Sequence, residues 1–163
     1  MRTNTPVLVL GTLLAMAGPA LASAQASEPS IGTWTLNVAK STYSPGPGPK
    51  SSTRTYTAVP KGYSFSSKGV DAAGKPTATT FTAHFDGKYY PMTGSTTVDS
   101  IQVTRVSAYS YNSSQKKAVK VLVQTTRVVA PDGKSMVSTT TGTLADGKPY
   151  KNVEVYDKVP DKK

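Results

Sequence analysis

The chain has 163 residues, a formal net charge of +10, one histidine and no cysteine. This length supports one domain with its own core, and the lack of cysteine excludes disulfides and thiol chemistry. One histidine and nine acidic residues also leave little material for a catalytic triad or a metal centre, so we expect a non-enzyme without cofactor or metal.

Residues 1–24 have the order of a secretory signal peptide. A positively charged start precedes an almost wholly apolar stretch over residues 7–22, and small residues follow around Ala24 and Ala26. The apolar stretch is short for a membrane span. We therefore predict cleavage after Ala24 or Ala26, a mature domain over residues 25–163 without a transmembrane anchor, and a secreted or periplasmic location.

Strands dominate the mature part, because Thr, Val, Ser and Tyr are frequent and no window repeats apolar residues at helical spacing. The predicted strands cover 32–39, 51–59, 62–70, 77–86, 88–93, 97–107, 109–114, 118–130, 135–145 and 149–158. Turns of the Gly-Lys type separate several of them: Asp71-Ala72-Ala73-Gly74-Lys75, Asp86-Gly87-Lys88, Asp132-Gly133-Lys134 and Asp146-Gly147-Lys148. Glycine accepts the positive φ of a tight hairpin, and aspartate caps the turn.

These short connections predict the fold class. Sequential strands joined by tight turns pair with each other as an antiparallel up-and-down meander. Closing such a sheet removes its exposed edges. We therefore expect an all-β chain with the meander closed into a single barrel of eight to ten strands, and a β-sandwich is the alternative.

The two ends of the mature chain resemble the calycins, the group that includes the lipocalins and the intracellular fatty-acid-binding proteins. The opening Gly32-Thr33-Trp34 is similar to the Gly-x-Trp of their first strand. The closing Val155-Tyr156-Asp157-Lys158 is similar to the last strand of the fatty-acid-binding group. The resemblance implies a closed barrel that holds a small apolar ligand, with Trp34 as the floor of the core.

Two departures from the fatty-acid-binding pattern concern the ligand site. That group closes with Arg-x-Tyr, whose Arg and Tyr hold the ligand carboxylate, whereas this chain has Glu154-Val155-Tyr156. The resemblance therefore implies a ligand role for Tyr156 and none for Glu154. A pair of helices also follows the first strand in that group, and here the proline-rich crossing Ser44–Lys50 stands in its place.

Strand alternation selects two arginines as ligand anchors. Arg127 shares a face with Val119, Val121, Val123 and Val129, and Arg105 shares one with Ile101 and Val103. A guanidinium among apolar neighbours needs a partner, because an unpaired buried charge is costly. The functional interpretation is that both arginines grip an anionic headgroup in a barrel cavity. The alternatives are an internal ion pair with Glu154, or a strand end where the arginine reaches solvent.

The single histidine predicts no catalytic centre. Phe81, Ala83 and Phe85 occupy one face of their strand, so His84 points to the other face and is expected at the surface or rim. An enzymatic function would need a concave cluster around His84.

The sequence therefore predicts a monomeric, non-catalytic carrier that binds a small apolar or amphiphilic ligand, fatty-acid-like if anionic. Its predicted ligand-binding residues are Arg105, Arg127, Tyr156 and Trp34. The alternative is a cell-envelope or matrix interaction protein with a solid core, whose basic exterior binds an anionic surface or polysaccharide. Nucleic-acid binding is not expected, because no basic stripe alternates with aromatic residues.

Overall fold

The computed structural model describes residues 28–160, and the predicted signal peptide with its cleavage sites after Ala24 or Ala26 lies outside the described residues. Ten antiparallel strands make up the described chain. They are β1 (Gly32–Ser44), β2 (Ser51–Val59), β3 (Gly62–Val70), β4 (Pro76–His84), β5 (Tyr89–Thr93), β6 (Ser100–Arg105), β7 (Ser110–Lys117), β8 (Lys120–Val129), β9 (Ser135–Thr143) and β10 (Pro149–Lys158).

The ten strands form one closed barrel in meander order, because each strand pairs with its neighbours in sequence and β1 also pairs with β10. The structure thus confirms the closed antiparallel meander, which is the architecture that the resemblance to the calycins implied. The alternative of a β-sandwich was wrong. Closure satisfies the backbone donors and acceptors that an open meander leaves on its two edge strands.

The Gly-Lys turns have the geometry that their sequence predicted. In each turn an aspartate side chain accepts a hydrogen bond from the backbone N–H of the lysine, at 2.8 to 3.1 Å. The glycine in each has φ between +67° and +89°. The four aspartates of these turns therefore cap hairpins, which accounts for half of the acids in the described chain.

The two ends of the barrel differ in which connections they carry. Connections that follow β1, β3, β5, β7 and β9 lie at one end, which we call the mouth. Connections that follow the even-numbered strands lie at the other end, which we call the base, together with Glu28 and Pro160. The proline-rich crossing between β1 and β2 is therefore a mouth segment, and its Gly48 packs against the ring of Tyr43.

The base is filled by large side chains. Those with less than 2 % of their surface exposed include Trp34, Tyr63, Tyr111, Met136 and Tyr156. The Trp34 indole N–H donates to the Ser30 carbonyl at 2.9 Å, so residues that precede β1 close the barrel from below. Burial of these aromatic rings stabilises the fold, which has no disulfides to support it.

Two bulges explain where strand alternation misled the sequence analysis. The pairing of β7 with β8 shifts between Gln115 and Lys116, so that Leu122 is an extra residue in β8. Beyond it the inward and outward faces exchange, and Val119 and Val121 are exposed rather than on the face of Arg127. A similar shift after Asn37 lets β1 continue to Ser44, although the sequence predicted an end at residue 39.

Candidate functional site

A cavity of about 340 Å³ occupies the mouth half of the barrel interior. Its walls differ in character. The wall from β3 to β6 is mostly apolar but includes four serine and threonine hydroxyls, and the wall from β7 to β10 carries hydroxyl and amide groups with fewer apolar ones. The apolar set includes Phe65, Phe81, Met92 and Ile101, and the polar set includes Ser113, Gln115, Thr125, Thr140 and Asn152. This cavity does not fit the solid core of the alternative interpretation, and its two walls suit a molecule with one apolar and one polar side.

Arg127 lies at the inner end of this cavity and is buried, with 7 % of its surface exposed. Three tyrosines surround its guanidinium, whose central carbon is 4.4 Å from the ring centroid of Tyr56, 4.9 Å from that of Tyr63 and 4.6 Å from that of Tyr111. The electron-rich ring faces stabilise the cation without removing its charge. These three tyrosines, which we call the cage, therefore orient Arg127 and keep it cationic.

The hydrogen bonds of Arg127 leave one edge of its guanidinium unpaired. Nη1 donates to the Tyr63 hydroxyl at 3.2 Å. Nε and Nη2 are buried and have no partner among residues 28–160, where no carboxylate forms an ion pair with Arg127 either. These two nitrogens lie on the same side of the planar group, so they form the fork that binds a carboxylate with two parallel hydrogen bonds.

Two tyrosines of the cage, Tyr63 and Tyr111, do not neutralise this charge. Burial raises the pKa of Tyr63, and burial together with the hydrogen bond to Glu28 raises the pKa of Tyr111 to about 12. Both phenols are therefore protonated at neutral pH. A buried cation without an anion is costly, and the arrangement favours an anionic group entering the cavity.

A second inward arginine, partly buried, is already paired. Arg54 Nη2 is 2.6 Å from Glu154 Oε2, and its Nη1 donates to Ser138 Oγ at 3.4 Å. Its guanidinium carbon lies 4.2 Å from the ring centroid of Tyr156, whose hydroxyl donates to Glu154 at 3.3 Å. Burial raises the pKa of Tyr156. Glu154 is thus the partner of Arg54 rather than of Arg105 or Arg127.

Arg54 was not among the predicted ligand residues, although strand alternation on β2 indicates its direction. Arg54 and Tyr56 alternate on β2, and the inward direction of Tyr56 places Arg54 inside the barrel as well. Finding its partner required the closure of the barrel, because Arg54 and Glu154 are 100 residues apart in sequence.

Arg105 lies in the same cross-strand row as Arg127 but in a different environment. The row reads Arg105, Tyr111, Arg127, Ser138 and Glu154 from β6 to β10. Arg105 ends β6, is exposed, and does not line the cavity. Its Nη1 is 3.4 Å from Glu28 Oε2, and its Nε donates to the Ser107 carbonyl at 3.1 Å. It therefore fastens the segment before β1 to the base.

Trp34 and Tyr156 are in the packed base, below the cavity rather than in its wall. In the ladder between β1 and β10, Trp34 pairs with Lys158 and Leu36 with Tyr156. The two segments that carry the calycin resemblance are therefore neighbours in the sheet. Of the four predicted ligand residues, the structure places Arg127 alone in the cavity wall and the other three around its floor.

His84 does not belong to the cavity. Its Nδ1 is 2.8 Å from the Pro60 carbonyl and its ring packs against Tyr90, with 5.4 Å between centroids. Residues 28–160 contain no cluster of three histidine, cysteine or acidic side chains placed to hold a metal ion. In the same part of the chain, no helix has the length and apolar character needed to cross a bilayer.

Comparison with known proteins gives one structural likeness. No family model matches the chain, and a search of curated proteins found no match. Among solved structures, the chain is similar to a zebrafish ileal bile acid-binding protein crystallised with cholic acid. The two share 11 % sequence identity with a TM-score of 0.47, over 80 % of this chain and 99 % of the other.

Proposed function

We propose that this protein is a non-catalytic carrier that binds a small amphiphilic molecule with an anionic head inside the barrel. The observation that supports it is the unpaired Nε and Nη2 edge of Arg127, a buried residue that lines a cavity of about 340 Å³. A ligand anion bound there removes the cost of the unpaired charge. A charge-assisted contact of this kind contributes roughly 1.5–3 kcal/mol.

The cavity also defines the size and orientation of the ligand. Its volume of about 340 Å³ is near the lower limit of small-molecule pockets, so we expect a single short-chain ligand. With the head on Arg127, the tail extends along Phe65, Phe81 and Met92 towards the mouth. Those side chains supply apolar area, and the hydroxyl groups opposite them allow water or a second polar group to remain in the cavity.

The other predicted ligand residues have supporting positions under this proposal. Trp34 and Tyr156 form the floor on which the cage rests, and Arg105 holds Glu28 and the closing segment at the base. Direct contact between these three residues and a ligand stays a prediction. So does a secreted or periplasmic location, which depends on residues 1–26.

Displacement of a fluorescent fatty acid by decanoate and by decanol tests the proposal. We expect decanoate to bind more tightly than decanol, and Arg127→Met to weaken decanoate about 10- to 100-fold with little effect on decanol. Arg105→Met is the matched control, because it removes the same charge outside the cavity.

Two results would contradict the carrier. One is the absence of displaceable probe from the wild-type protein, together with no ligand-sized extra mass in native mass spectrometry. The other is an equal loss of decanoate affinity in both arginine variants, which would make the effect one of overall charge rather than of the cavity.

A further inference from the structure

The surface charge of the barrel is concentrated around the mouth. The mouth connections, with three residues of each adjoining strand end, carry eight lysines and three aspartates, a net charge of +5. The same region at the base, apart from the buried Arg127, carries five basic and four acidic residues, a net charge of +1. The positive pole of the molecule therefore surrounds the entrance to the cavity.

The hairpin between β7 and β8 carries the most exposed large apolar side chain of this basic region. Val119 is 94 % exposed at the turn, and Val121 next to it is 44 % exposed. The bulge at Leu122 turns Val121 outward. Ala118 holds the turn with φ of 51°, a conformation that favours glycine, so the tip keeps its shape at some backbone cost.

Three lysines flank this tip, and one acid lies beside them: the Asp99 carboxylate accepts a hydrogen bond from the Ala118 N–H at 3.0 Å and attracts Lys116 and Lys117. Lys117 and Lys120 are directly opposite each other in the β7–β8 ladder, where like charges repel. Lys116 is next to them, with its Nζ 4.1 Å from the centroid of the Tyr89 ring. One aspartate among three lysines leaves the tip with a net positive charge, and an external anion would reduce the repulsion between Lys117 and Lys120.

We propose that the hairpin tip, residues 116–121, docks the mouth of the barrel onto a lipid bilayer that carries anionic headgroups. Lysines near such a surface are attracted to it, and exposed valines enter the boundary between headgroups and acyl chains. Leu144 in the neighbouring β9–β10 turn, 39 % exposed, adds a second apolar contact on the same rim. Soluble polysaccharide would use the lysines but leave the valines in water, so the bilayer matches the tip better.

Docking in this orientation directs the cavity towards the membrane. Gln115 and Val123, on the two strands that carry the tip, line the cavity. This consequence rests on the proposed carrier function: an amphiphile leaving its site would meet the bilayer before bulk water. The docking itself does not require a ligand, so the two proposals fail separately.

Flotation with vesicles of phosphatidylglycerol and of phosphatidylcholine tests the docking. We expect binding to the anionic vesicles alone, weakening as salt is raised. Removing both lysines in Lys117→Ala/Lys120→Ala should weaken it about 25-fold, since each lysine contributes about fivefold. Val119→Ser should weaken it about threefold, because apolar area no longer enters the boundary. Lys88→Ala/Lys134→Ala is the matched control at the base and should change binding less than twofold.

Equal losses in the mouth and base lysine variants would overturn the proposal, since that is general charge attraction. So would full binding by Val119→Ser combined with equally tight binding to soluble dextran sulfate, which would identify a polyanion rather than a bilayer as the partner. Arg127→Met should float like the wild type, which separates failure of the docking from failure of the carrier. A single cooperative urea transition of each variant verifies that it is folded.

Discussion

The base half and the mouth half of the interior are built on the same strands but from different side chains. Each strand places a large ring or apolar chain at the base, and several place a small polar one towards the mouth. On β7 the inward residues run from Tyr111 to Ser113 and Gln115, and on β9 from Met136 to Ser138. The base is consequently packed, whereas the mouth half encloses about 340 Å³.

This difference separates stability from binding within one small barrel. At the base the rings pack against one another and the Trp34 indole N–H donates to the Ser30 carbonyl, although Ser30 Oγ has no partner among residues 28–160. In the mouth half, polar groups line the cavity. Arg127 lies at the boundary between the two halves and has two buried nitrogens without a partner among residues 28–160. We therefore expect substitutions at the base to change the free energy of unfolding and those towards the mouth to change ligand affinity.

Trp34→Ala should have the largest effect on stability, a loss of about 4 kcal/mol in the free energy of unfolding, because it leaves a large void in a fully buried position. Phe81→Ala removes a ring of similar kind beside the existing cavity and should cost clearly less. Urea unfolding of both variants measures the difference. Equal costs would show that the two halves are packed alike.

Glu154→Gln should cost about 2 kcal/mol, because it leaves the partly buried guanidinium of Arg54 without its counter-ion while water compensates for part of the loss. Asp146→Asn is the matched control, since it removes the partner of Lys148 in an exposed pair at 3.2 Å and should have little effect. Urea unfolding again gives the comparison. A Glu154→Gln variant as stable as Asp146→Asn would mean that the boundary ion pair does not support the base.

Alkaline pH should destabilise the base through Tyr111. Its pKa is raised from 10.0 to about 12 on folding, so the folded state holds its proton more tightly than the unfolded chain. The resulting stability is complete below pH 10 and is lost as pH rises through about 12, by about 1.4 kcal/mol per pH unit for one such group. The urea midpoint across this window measures the loss, and Tyr111→Phe should reduce its slope. The same slope in both proteins would contradict this assignment.

The smallest expected effects distinguish two serines of the cavity wall, Ser138 in the row of Arg127 and Ser113 one inward row nearer the mouth. Ser138 is 1 % exposed and accepts a hydrogen bond from Arg54, so Ser138→Ala should cost about 1 kcal/mol. Ser113 lines the cavity, and Ser113→Ala should change the free energy of unfolding by less than about 0.5 kcal/mol. Denaturation curves measured side by side test this. A reversed order would place the boundary at the wrong level.

The sequence predicted the barrel closely because its information about strands is local. Asp-Gly-Lys turns and β-branched runs define each hairpin within a few residues, and the order of hairpins then leaves closure as the way to remove edges. The two bulges were not predictable in this way. A bulge depends on how two strands meet, and nothing in the run from Val119 to Val123 marks Leu122 as the extra residue.

The site was predicted in part, for a physical reason. Alternation on β8 selected Arg127 correctly as an inward residue, whereas the same argument for Arg105 ignored its place at a strand end. Alternation gives the direction of a side chain but not its height in the barrel. The position of each side chain along the barrel axis also decides whether the interior is hollow. Large and small inward residues are both frequent, and the cavity exists because the small ones lie together towards the mouth.

The central claim is that the unpaired Nε and Nη2 edge of Arg127 binds the anionic head of a ligand. A nuclear magnetic resonance titration that follows the Nε–H resonance of Arg127 tests this claim most directly. Adding decanoate should shift this resonance and slow its exchange with water, at the concentration where decanoate displaces the fluorescent probe. Decanol should leave it nearly unchanged. An Arg127 resonance that stays in place while decanoate binds elsewhere would contradict the account.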